Sequence, residues 1–275
     1  MLFVSSLMLL ASFSPALALT SPIMAPRMQV IKSINGTVYS TNWSGYAVTG
    51  PTGSVTSASG SWKVPTVTGS SGQYAAFWVG IDGYNSATVE QTGILAQVTS
   101  NRRTSQTTYY AWYEFYPLES IIEITKATSP SGTPATVKPG DTIFASVTYS
   151  SPTFTLTIND KTEGWTFTTT GSQSGATESS AEWIVEAPSS YFGVLPLANF
   201  GTAVFGADNT GVTGTCDATI GGASGAINSF GSSVVQINMV TNRGALKDST
   251  SALSSDGTSF SVTWKSGGSG LFGEF

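Results

Sequence analysis

Residues 77–93 read FWVGIDGYNSATVEQTG, two short strand-like runs joined by a Gly-Tyr-Asn turn. Phe77, Val79 and Ile81 alternate with Trp78, Gly80 and Asp82, so an extended backbone puts apolar side chains on one face and an indole and a carboxylate on the other. Past the turn, Val89, Gln91 and Gly93 share a face. A Trp, an Asp and a Gln gathered on one β surface fit the lining of a cleft, with a satisfied strand end as the plainer alternative.

Working outward, residues 107–117 read TTYYAWYEFYP, with Tyr110, Trp112, Glu114 and Tyr116 on one face and Tyr109, Ala111, Tyr113 and Phe115 on the other. A glutamate flanked by rings along a strand reads as a groove residue, because aromatic side chains gain little on a purely solvated face. Residues 178–188, ESSAEWIVEAP, place Glu182, Ile184 and Glu186 on one face and end at Pro188. Strand rise separates the two glutamates by roughly 13 Å, too far for both to act on one bond. The residues alone do not choose between them.

Other alternating runs complete an all-β pattern: 42–48, 54–67, Ser120 to Thr128, 142–150, a hairpin of 153–160 with 163–170, 194–205, 234–240 and 259–265. The glycine-rich region Gly206 to Ser233 reads as a mobile excursion or lid. Aromatics at 11% against charged residues at 10% favour half-buried pleated surfaces over long helices.

The composition also excludes chemistry. With no histidine and one cysteine, Cys216, there is no Ser-His or Cys-His pair, no imidazole or thiolate metal site and no intrachain disulfide. Hydrolysis would have to come from carboxylates, amides, hydroxyls or lysines, with no metal and no cofactor. Sixteen acidic and eleven basic side chains leave no basic stripe for nucleic acid. Eleven cations would also repel only modestly once the carboxylates are protonated, which suits acidic surroundings.

At the N-terminus, an apolar run leads to Ala16-Leu17-Ala18, a pattern resembling a secretory signal over residues 1–18. Residues 19–39 lack strand alternation and read as a propeptide or disordered arm, 40–265 as one folded domain and 266–275 as a flexible tail. Asn35-Gly-Thr and Asn42-Trp-Ser match glycosylation sequons.

With WVGIDG, EQTG, AWYEFYP and AEWIVE in this order, the sequence resembles the glutamic peptidase (eqolisin) family from about Asn42 to Trp264. The resemblance implies a two-sheet antiparallel β-sandwich, jelly-roll-like in form, and pepstatin-insensitive proteolysis in acid by a Gln/Glu dyad. On the matching motifs the dyad is Gln91 and Glu186, with Trp78 and Asp82 as cleft residues and Trp112 and Glu114 as supporting ones. Tyr110 departs from the aspartate that fungal members carry before Ala-Trp, and Ala187-Pro188 replaces their Asp-Phe.

In such a dyad an ionised Glu186 takes a proton from water and returns it to the leaving amine, while the Gln91 amide donates to the oxyanion. A carboxyl with an ordinary pKa of about 4.3 suits work near pH 3 to 4. The expectation is a secreted, monomeric endopeptidase acting on polypeptides, without nucleic acid and without stable membrane association once the signal is cut. Two alternatives use the same aromatic groove: a glycoside hydrolase pairing Glu114 with Glu186 or Glu182 about 5 to 9.5 Å apart, and a non-catalytic carbohydrate-binding module.

Overall fold

The structure, a computed structural model, describes residues 22–34, 36–101, 104–125 and 135–268. The expected signal over residues 1–18 and residues 269–275 of the tail lie outside the described residues.

Two nine-stranded sheets dominate. The first runs, in spatial order, Val30–Ile34, Thr37–Ser40, Val234–Met239, Trp43–Thr49, Ser180–Glu186, Tyr74–Ile81, Val89–Ser100, Ser105–Tyr116 and Ile122–Glu123. The second follows Trp165–Gly171, Thr153–Asp160, Thr142–Ser150, Val55–Lys63, Thr202–Phe205, Phe260–Trp264 and Asp248–Thr250, with Asp217–Ile220 and Ala223–Ala226 branching from Val55–Lys63. Pairing is antiparallel among these strands except where Thr37–Ser40 lies parallel to Val234–Met239. This is the two-sheet sandwich that the sequence implies.

Alternation explains which side chains meet. Phe77, Val79, Ile81, Ile94, Ala96, Trp183 and Val185 turn inward, and Trp62, Ile143, Ala145, Val147, Leu156 and Ile158 join them in one buried core. Trp183 crosses between the layers, its indole N–H donating to the Ser59 carbonyl at 2.7 Å. Gly60 makes room for that ring, since a Cβ there would lie 2.7 Å from Trp183 Cδ1.

The first sheet is apolar on its other face too. Trp43, Ala47, Ala76, Trp78, Val89, Leu95, Trp112 and Ile184 form a second buried cluster there, closed over by Ala25 and Met28. Each burial of such a side chain contributes on the order of 1.5 to 3 kcal/mol, so residues 22–29 are an integral cover of this face.

Three expectations differ from what is observed. The arm is irregular only through Gln29; Val30–Ile34 and Thr37–Ser40 are strands at the sheet edge. Between Ser120 and Thr128, only Ile122–Glu123 pairs, and residues 126–134 lie outside the described residues. The glycine-rich region contains the Asp217–Ile220 and Ala223–Ala226 hairpin, a short helix at Ala207–Thr210 and a tight helical stretch at Ile227–Ser233. The hairpin is anchored by backbone pairing to Val55–Lys63.

Candidate active site

Register sets the site. Glu186 sits opposite Ala76, and Gln91 opposite Gly80 on one side and Glu114 on the other. Side chains two apart along a strand share a face, so Glu182, Glu186, Trp78, Gln91, Trp112 and Glu114 all belong to the face that residues 22–29 cover. Gly93 leaves room for the Trp78 side chain, because a Cβ there would meet the Phe77 carbonyl oxygen at 2.2 Å and Trp78 Cβ at 2.6 Å.

Gln91 and Glu114 act as a unit. Gln91 Nε2 donates to Glu114 Oε2 at 2.9 Å and to the Ala25 carbonyl oxygen at 2.5 Å, and the Ala25 N–H donates to the same Glu114 oxygen at 3.0 Å. Glu114 therefore fixes which way the Gln91 amide faces. Gln91 Oε1 accepts from no described residue.

Glu186 is held from two directions. Trp78 Nε1 donates to its Oε2 at 2.8 Å and Asn42 Nδ2 to its Oε1 at 3.3 Å. The same Asn42 amide donates to the Pro26 and Arg27 carbonyls at 3.4 and 3.2 Å. Trp43 Nε1 also reaches the Pro26 carbonyl at 3.1 Å.

Glu186 and Glu114 are fully buried, and burial holds both carboxyls well above the usual carboxylate range. The charge of Glu114 pushes Glu186 up further, while hydrogen bonds from Trp78, Asn42 and Trp43 draw it partly back. Lifting the cover would admit water to the face and lower the Glu186 carboxyl toward the ordinary range.

Glu182 is placed differently. It is buried near Asp82 and Glu90, whose charges add to the burial that holds its carboxyl well above the usual range. Asp82 accepts the backbone N–H groups of Thr177, Glu178 and Ser179 at 2.7, 2.8 and 2.9 Å and so ties the turn that leads into Ser180–Glu186. Its own backbone is at φ 71°. Trp112 packs in the cluster under Ala25, beside Trp78.

Asn42 is the site residue that the sequence reading missed. It stood out only as a sequon, yet it is fully buried and joins Glu186 to residues 26–29. Its position one residue before Trp43, at the start of a strand, was the available signal.

A sequence model of the Peptidase A4 family matches residues 41–264. The chain is 32% identical over 203 residues to Aspergillopepsin-2 of Aspergillus niger, a span covering 64% of this chain and 67% of that one. The aspergilloglutamic peptidase structure from Aspergillus niger matches with a TM-score of 0.54 at 29% identity, over 70% of this chain and 99% of that one. The fold is shared with scytalido-glutamic peptidase bound to a transition state analog inhibitor, at a TM-score of 0.64 and 23% identity, over 82% of this chain and 98% of that one.

Proposed function

The chain belongs to the peptidase A4 family, the glutamic endopeptidases, and we propose that it cuts polypeptides in acid through Glu186 and Gln91. The observation that carries this reading is the grip on one short segment of the chain. Ala25 is held through its C=O by Gln91 and through its N–H by Glu114, while Asn42 joins the next two carbonyls to Glu186.

In this mechanism a substrate carbonyl takes the place of the Ala25 carbonyl. Gln91 Nε2 donates to its oxygen as the tetrahedral oxyanion develops, and Gln91 Oε1 is the acceptor that can hold the attacking water. Glu186 removes a proton from that water and delivers it to the leaving nitrogen. Glu114 is the positioning residue for Gln91, and Trp78 and Asn42 are those for Glu186. Because the glutamine does not titrate, the oxyanion donor survives in acid. Aspartic-protease inhibitors of the pepstatin type are built for a pair of aspartates, so they have no matching partner here.

Residues 1–18, with their apolar run before Ala16-Leu17-Ala18, support export. No helix among the described residues is long and apolar enough to cross a membrane. The enzyme leaves the cell as a precursor and matures by losing its N-terminal arm.

The test is digestion of an unfolded protein at about pH 3.5 with pepstatin present, followed across pH. Fragments appearing in acid and ceasing toward neutrality are expected. Intact substrate between about pH 2 and 5, with the protein demonstrably folded and freed of its arm, would remove the reading.

A further inference from the structure

The face that carries Gln91 and Glu186 continues past them into a hollow that no step of the hydrolysis uses. Strand pairing sets a row of residues from Glu186 through Ala76 and Leu95 to Tyr110. Neighbouring strands lie about 4.8 Å apart, so Tyr110 stands roughly 14 Å from Glu186 along that row. Ala76 and Leu95 between them are fully buried and apolar. The floor of the face is therefore apolar all the way to Tyr110.

There it opens into a cavity of about 320 Å³, at the small end of the range for ligand pockets. Tyr74, Tyr110 and Ile121 supply its apolar walls, and Gln97 and the exposed Glu123 its polar edge. The Tyr74 hydroxyl accepts from Gln97 Nε2 at 3.1 Å, which fixes one of the two rings. The other, Tyr110, is half-buried and packs against the tryptophan cluster of the same face. Burial, ahead of the nearby Glu123 and Tyr74, pushes its phenol up, as expected for a ring surrounded by protein rather than water.

The chain itself shows which residue of a peptide reaches this cavity. Ala25 presents its carbonyl to Gln91, and Ile23, two residues earlier, lines the cavity and packs against the same cluster as Tyr74, Tyr110 and Ile121. The Ile121 N–H donates to the Ile23 carbonyl at 3.0 Å, so backbone pairing holds that position beside the hollow. A substrate whose carbonyl takes the Ala25 place sets the third residue before its cleaved bond there. Residue 110 decides the chemistry it meets. The aspartate that fungal members carry before Ala-Trp would put a charge in this wall, whereas Tyr110 puts a ring. Seating a charged side chain among two rings and Ile121 costs desolvation, while a large apolar one gains from burial.

We infer that Tyr74, Tyr110 and Ile121 form a subsite for a large apolar side chain, branched aliphatic or aromatic, on the third residue before the cleaved bond, and that Tyr110 sets this preference. The inference deepens the peptidase reading above and rests on it. Tyr110 does not touch the reacting atoms; it acts on which peptide is taken.

The experiment uses the full chain as wild type, Tyr110→Ala and Tyr110→Asp, taken to about pH 3.5 and assayed once freed of its arm. The substrates are peptides identical except for isoleucine, phenylalanine, alanine or lysine at that third residue, with the cut bond identified by mass. Wild type should show kcat/KM about tenfold or more higher for the isoleucine and phenylalanine peptides than for the alanine and lysine ones. Tyr110→Ala should bring the four to within about threefold of one another, and Tyr110→Asp should turn the preference toward lysine by placing a carboxylate in the cavity. Each ratio is taken within one protein, so a general loss of folded enzyme cancels.

Equal kcat/KM for all four peptides in wild type would overturn this inference and leave the peptidase reading standing. So would a wild-type preference for lysine, or an unchanged ratio in Tyr110→Ala. No cleavage of any peptide by any folded form would sink the peptidase reading, and this inference with it.

Discussion

Raising the pH from acid to neutral should weaken this fold, and Glu90→Gln should remove the share of that sensitivity that Glu90 carries. Glu90 is fully buried, and its carboxyl is pushed up to about 9, first by burial and then by the charge of Asp82. Glu178, the other charged neighbour acting on it, is also acidic. In the unfolded chain the group ionises above its ordinary value of 4.5, while in the folded protein it keeps its proton until about pH 9. Unfolding therefore releases a proton in that window, and stability falls as pH rises through it. At 1.36 kcal/mol per pH unit between 4.5 and 7, the loss is at most about 3 kcal/mol. Set against a typical total of about 5 to 15 kcal/mol, that is a large share. Asp248, pushed to about 7 by burial in spite of hydrogen bonds from Ser44 and Met239, acts in the same direction. The assay is thermal unfolding at pH 4 and pH 7 for wild type and Glu90→Gln. The wild-type Tm should drop between the two by roughly 6 to 12 °C more than the variant's. Equal drops in both proteins would refute the reasoning.

Trp78→Phe removes the indole donor to Glu186 and should lower kcat by about tenfold to a hundredfold with little change in KM. It should also move the Glu186 limb of the pH profile upward, because that hydrogen bond draws the carboxyl pKa down. Asp82→Ala strips the acceptors from three backbone N–H groups of the 177–179 turn and should cost about 3 kcal/mol in denaturant unfolding. Gly93→Ala drives a methyl into the neighbouring strand's backbone and should abolish the near-ultraviolet dichroism of the packed tryptophans.

The strands that carry the site were legible because each combines strict alternation with aromatic residues, as at Trp78, Trp112 and Trp183. The face shared by Glu182, Ile184 and Glu186 followed from the same period. Which glutamate matters did not, because the distinction lies in partners from distant strands: Trp78 and Asn42 for Glu186, Asp82 and Glu90 around Glu182. The Val30–Ile34 strand was invisible for a related reason. All five of its residues are exposed, so it lacks a buried face to impose alternation. Its neighbour Thr37–Ser40 is held by Val234–Met239, nearly two hundred residues away. Serine, threonine and glycine dominate 206–233, and what orders them is backbone pairing to Val55–Lys63, to which side-chain patterning is blind.

The pairing of Gln91 with Glu186 is tested most directly by steady-state cleavage of an unfolded protein at about pH 3.5 by wild type, Gln91→Ala, Glu186→Gln and Glu182→Gln, each shown to be folded and freed of its arm. The account predicts that the Gln91 and Glu186 variants lose kcat by at least about a thousandfold and that the Glu182 variant keeps it. Turnover retained by Glu186→Gln, or lost on the Glu182 substitution instead, would contradict it.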